Sequence, residues 1–147
     1  MLFFVTFAII RLFSNNINNK PSKPDENIQL AATRKAIEAI FGQKGTLQDQ
    51  VLKLTFPRTD LHVKVGIIPV EPGFALTSWI AFKHHRNRTI IMGDLVLLDQ
   101  EINPVISKMI TNGVIITALH NHLVGETPDI MYLHFEDREK HLNWPKL

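Results

Sequence analysis

The chain contains no cysteine, and that absence excludes disulfides, thiolate zinc sites, a cysteine nucleophile and a lipid-bearing cysteine. It also lacks a bilayer-spanning apolar run. The hydrophobic opening MLFFVTFAIIRLF, Met1 to Phe13, falls short of the ~20 residues that a spanning helix needs. Nor is there a dense basic block. Sixteen Lys and Arg stand against fourteen Asp and Glu, so the pI near 9.0 rests on a small excess, and nucleic acid is not an expected partner. Disorder is excluded as well. With 45% apolar and 20% charged residues the composition is that of an ordinary globular protein, and 147 residues suffice for one domain with a real core.

Organisation along the chain follows from composition. The segment 1–13 resembles the apolar centre of an export signal, although a positive start is missing and Arg11 follows the run instead. As a signal it implies export to the cell envelope, as a buried tail a cytoplasmic location. Membrane association through 1–13 is at most weak. Ser14 to Asp25 is polar, holds Pro21 and Pro24, and reads as a linker. The expected organisation is therefore an apolar segment with linker over 1–26, a single domain over 27–136, and an irregular charged tail over 137–147.

Within the domain, Asp25 or Asn27 caps a helix running to about Phe41, with Ile28, Ala32, Ile37, Ile40 and Phe41 on its apolar stripe and Gly42 as its stop. Val51 to Phe56 alternates as a half-buried strand, and Asp60 to Val65 gives another after the Pro57-Arg58-Thr59 turn, the two pairing as a hairpin. Ala75 to Lys83 is a strand whose Trp79 and Phe82 read as core rather than as a binding platform. His84 to Arg88 is a solvated turn, and its adjacent histidines point apart. Thr89 to Leu98 is the most apolar strand. From Asp99 to Asn112, Ile102, Val105, Ile106, Met109 and Ile110 recur with helical period, closed by Asn112-Gly113. The fold class is α+β: an antiparallel or mixed β-sheet with two main helices, in which a β-α-β unit leads into a histidine-bearing hairpin. Beyond His134 no clear element is expected.

Chemistry concentrates in TALHNHLVGETPDIMYLH, Thr117 to His134, which holds three of the seven histidines. His120 and His122 share one strand face with Val114, Ile116 and Ala118. The loop Val124 to Pro128 turns the chain back, and Ile130, Tyr132 and His134 share a face on the return. An even-sum register sets His134 with the other two, where cross-strand Cβ atoms lie about 4.5–5.5 Å apart; an odd-sum register sends it to the far side. Three imidazoles and one carboxylate suit a divalent transition metal, zinc first, with iron or manganese as competitors, and an open position is the catalytic pattern. His120, His122 and His134 are the expected ligands, and Glu126 a fourth ligand or general base. The plainer alternative is a set of partly buried, hydrogen-bonded histidines on a polar sheet face.

Three further residues belong to the candidate set. Gly93 inside an apolar strand marks a bulge or a close backbone approach, and Asp94 beside it needs a partner, which makes it an acceptor that orients a histidine. Arg58 can hold an anionic ligand bidentately, although a local ion pair with Asp60 is the commoner outcome. Asn121, between the two histidines, is grouped with Asp94 and Arg58 as supporting or ligand-binding.

Gly93-Asp94-Leu95-Val96-Leu97, Glu101 to Val105, Gly113 and Thr117 to His122 follow one another in fixed order, with Glu126, Pro128 and His134 behind them. Together with the upstream Phe41-Gly42, Phe56 to Leu61, Pro72-Gly73 and Ser78-Trp79, this string resembles the LppY/LpqO family of bacterial envelope proteins, over roughly Asn27 to His134. The resemblance implies a domain of unknown function in exported or lipid-anchored proteins that commonly carry two tandem copies. This chain differs in holding one copy, in lacking the lipidation cysteine, and in losing the glycine-rich stretch and final helix after the last histidine. An uncovered sheet face then implies a homodimer, or a second repeat, as partner. H-x-H-x3-E with a distant histidine is also partly similar to the cupin signature, but the helix directly before the histidine strand argues against a barrel. The reading is a metal-binding envelope protein of hydrolytic or lyase type acting on an unknown small ligand; its alternative is a non-enzymatic module for an anionic ligand or protein partner.

Overall fold

The computed structural model describes residues 26–85 and 88–139, with side chains from residue 31 to residue 137. Helix α1 spans Glu26–Phe41. Strands β1 (Thr46–Gln48), β2 (Val51–Pro57), β3 (Val63–Val65), β4 (Ile68–Val70), β5 (Thr77–His85) and β6 (Arg88–Leu98) follow. Helix α2 (Asp99–Thr111) then leads to β7 (Ile115–His120), β8 (Glu126–Thr127) and β9 (Ile130–Glu139). Six strands form one antiparallel sheet in the order β1-β2-β5-β6-β9-β7, and β4-β3-β8 form a second, three-stranded sheet. The architecture is α+β.

Alternation dictates which face of the large sheet is covered by what. Leu52, Leu54, Phe56, Ile80, Phe82, Ile91, Leu95, Leu97, Leu133 and Phe135 point to one face and are buried by Ile37 and Phe41 of α1 and by Val105 and Met109 of α2. This is the larger core, and α1 is anchored in it by Phe41, whose ring meets Phe56 at 5.7 Å. On the opposite face Val96, Ile130 and Tyr132 pack under Val63, Val70 and Leu76, so the small sheet and the chain after it form the second core. Gly93 sits directly across from Phe135. A Cβ there would run into the Phe135 ring and come within 2.7 Å of the Trp79 carbonyl oxygen, so the glycine marks a close approach rather than a bulge.

Helix α2 starts at Asp99 and carries Pro104 inside it. Leu98 is the N-cap, and its N–H donates to Glu101 Oε2 at 2.9 Å. Gly113, at φ +83°, closes the other end, donating to the Ile110 carbonyl at 3.0 Å. The strands flanking α2 are not neighbours: β9 lies between β6 and β7.

Three other expectations change. The strands around Pro57 do not pair with each other, since β2 pairs with β1 and β5 while β3 joins the second sheet. The loop after His122 is not a tight turn, because Glu126-Thr127 breaks away to pair with Lys64-Val65. The chain beyond His134 is regular as far as Glu139, held along β6 by pairs from Leu98↔Ile130 to Thr89↔Glu139. The apolar segment 1–13, the linker and His141 lie outside the described residues. Among the described residues no helix is long and apolar enough to cross a membrane.

Candidate metal centre

One irregularity in β7 decides where the histidines point. Ile115 and Ile116 pair with Glu136 and Phe135, in a register that sums to an odd number, whereas Ala118, Leu119 and His120 pair with His134, Leu133 and Tyr132, in one that sums to an even number. The shift falls on Thr117. A bulge of this kind makes two residues oppose one, so the alternation is reset behind it. Ile116 consequently packs with the helix-covered core, while Ala118 and His120 share the other face with Tyr132 and His134. The expectation that the histidines lie on the face of Val114 and Ile116 is corrected by this one residue. The reset is also what gives His134 its even-sum register.

The result is convergence. His120, His122 and His134 each offer one nitrogen, all within 4.8 Å of one another, and His120 Nε2 lies 2.9 Å from His122 Nε2. The rings of His120 and His134 are stacked at 4.9 Å with 6° between planes. Tetrahedral ligation needs nitrogens about 3.3 Å apart, a spacing close enough to that observed for the set to be able to hold one ion. Burial keeps the His122 imidazole below its usual range, countered by Asp94 and reinforced by His120 and His134. A depressed histidine is neutral, which is the form that ligates.

Tyr132 is the floor of the site and was not singled out from sequence. Its ring stacks on His122 at 3.5 Å and 16°, and its hydroxyl donates to the Ala75 carbonyl at 3.1 Å. The available signal was its alternation with His134. Burial raises the phenol's pKa, and the carboxylates of Asp94 and Glu126 add to the rise.

Asp94 stands opposite His134 in the β6–β9 ladder. Its Oδ2 is 3.8 Å from His134 Nε2, and its Oδ1 is buried without a hydrogen-bond partner. Burial raises its pKa, and His134, His122 and His120, in that order, pull it back down. An orphaned carboxylate oxygen beneath three imidazoles fits a site that accepts a cation.

The remaining candidates are placed differently. Glu126 is buried in β8, its Oε1 accepting the Ile130 N–H at 3.4 Å, and is not one of the three converging groups. Asn121 is exposed. Arg58 is 2% exposed and donates to both Asp60 oxygens, to both Glu101 oxygens and to the Val96 carbonyl. A guanidinium has five N–H donors, and these contacts use all of them, so Arg58 ties three segments together and has none left for an anionic ligand. Glu101, its second partner, belongs to the Glu101 to Val105 motif, but nothing in the sequence joined it to Arg58.

A description of one protein family, Domain of Unknown Function (DUF1259), matches residues 35–144. No curated protein and no solved structure matches the chain.

Proposed function

Since the chain belongs to this family of unknown function, we propose its activity from the site alone: it binds one divalent transition metal ion through His120, His122 and His134, zinc in first place and iron or manganese as alternatives. The observation that carries this is the convergence of three imidazole nitrogens within 4.8 Å over a buried carboxylate with an unpartnered oxygen. Three protein ligands leave a position for water, whose proton the metal acidifies. Asp94 is the base in this reading. With an ion bound, Asp94 would accept the proton of that water and return it to the departing group of a hydrolysed substrate. Glu126, expected as ligand or base, serves instead to hold the loop through Ile130. Exported location, as in the LppY/LpqO proteins that the chain resembles, belongs to the same proposal. So does a second copy or second repeat as partner, in keeping with Ile115 and Leu119 of β7 being 51% and 40% exposed.

Cobalt(II) titration of the full chain tests the reading, because cobalt reports its geometry in the visible. One equivalent of a four- or five-coordinate spectrum is expected, abolished in His134→Ala. It is expected to persist in both Asp94→Asn and Glu126→Gln, with only the Asp94 variant moving the pH-dependent change that reports bound water to lower pH. A featureless titration contradicts the metal reading.

A further inference from the structure

The small sheet covers its face of the large sheet only as far as Val96 and Tyr132. From Asp94 and His134 outward none of the described elements packs over that face, and register fixes what it displays. One row runs across five strands as Thr55, Trp79, Asp94, His134 and Ala118. The next runs as Lys53, Ala81, Met92 and Glu136. Trp79 is thus the immediate neighbour of Asp94 and two strands from His134, about 10 Å along the sheet. It is a half-buried residue facing the open side rather than one of the core. Met92, beside it, is 51% exposed. The Lys53 ammonium rests 4.3 Å from the Trp79 ring centroid and makes no ion pair with the described residues. Glu136 is already engaged.

These positions set two cationic points, Lys53 and the ion held by the histidines, at opposite ends of a short apolar strip made by Trp79 and Met92. Charge complementarity asks for an occupant with the inverse pattern. We propose that this strip is the substrate platform of the metal site and that the substrate is an organic anion with a flat ring: its ring lies on Trp79 and Met92, its anionic group meets Lys53, and its reactive group reaches the metal. The inference rests on the metal reading above. Trp79, Met92 and Lys53 select the substrate without touching the ion. The Lys53 ammonium lies over one face of the indole, so the substrate ring takes the free face and edge of Trp79, and the ring and charge contributions are coupled through the contact between the two side chains.

Zinc-loaded full-length protein is titrated by calorimetry with three hydroxamates that share one metal-binding head: acetohydroxamate, benzohydroxamate and 4-carboxybenzohydroxamate. The ring is expected to tighten binding about fivefold, and the carboxylate about threefold more. Trp79→Leu, which keeps an apolar side chain on the strand, removes the ring increment; Lys53→Gln removes the carboxylate increment; Met92→Glu, at an exposed position, weakens the carboxylated compound most. Zinc stoichiometry and acetohydroxamate affinity stay as in the parent throughout. Equal affinity for all three compounds on zinc-loaded protein, or increments that survive Trp79→Leu and Lys53→Gln, overturns the platform and leaves the metal site standing. Failure to take up zinc overturns both.

Discussion

Arg58 shows what a single residue does here and how much of it could be read beforehand. Its pairing with Asp60 was legible because the two are adjacent in the turn; its pairing with Glu101 was not, because that acid is 43 positions away and only the fold brings it near. Arg58→Met strands Glu101, which is 17% exposed, and releases the Val96 carbonyl. A loss of about 3–5 kcal/mol is expected in urea unfolding, with zinc uptake by the folded fraction unchanged. Glu38 is a second such residue. Lys44 and Arg34 donate to its carboxylate, the Gly45 N–H adds a third bond, and its pKa is lowered from 4.5 to about 2. The unfolded chain takes up this proton near pH 4.5 and the folded chain only near pH 2. The ion-pair stabilisation is therefore complete above 4.5 and drains away as pH falls toward 2. Thermal unfolding followed from pH 5 to 2.5 should show a steeper decline for the parent than for Glu38→Gln; parallel curves would contradict the assignment.

At the scale of elements, both helices and the long strands were legible, because each carries its own period. Val105 and Met109 lie one helical turn apart, and Leu52, Leu54 and Phe56 alternate. Of the second sheet only β3 was legible, as the end of the Asp60 to Val65 strand; β4 and β8 are three and two residues long, too short for a period, and β8 finds β3 across more than sixty residues. The bulge at Thr117 was equally silent, since a threonine in a β-branched run carries no mark of being the extra residue. Yet it orients the site. Deleting Thr117 should remove the bulge and leave Ala118, Leu119 and His120 opposite His134, Leu133 and Tyr132, with zinc uptake retained. Inserting one alanine after Ala118 should instead turn His120 toward the helix-covered face: all three histidines remain, the far-UV circular dichroism keeps its sheet signal, and stoichiometric zinc uptake is lost. Retained uptake in the insertion variant would show that strand register is not what gathers them.

Among the described residues a large sheet is covered by helices on one face and in part by a small sheet on the other, with the three imidazoles at the step where that cover stops. The three histidines come from β7, the loop leaving it and β9, so an ion held there would link these segments. Binding that favours the native state must stabilise it: at a hundredfold excess over the dissociation constant the gain is about 2.7 kcal/mol, on the order of 5–10 °C in Tm for a chain of this size. Scanning calorimetry with zinc and with chelator measures that difference, and His134→Ala should abolish it. Metal content of protein purified without added metal, by plasma mass spectrometry, tests the central claim most directly. Near one ion per parent chain and none in His120→Ala or His134→Ala is the predicted result. A parent chain that stays empty even after reconstitution with zinc, iron and manganese would contradict it.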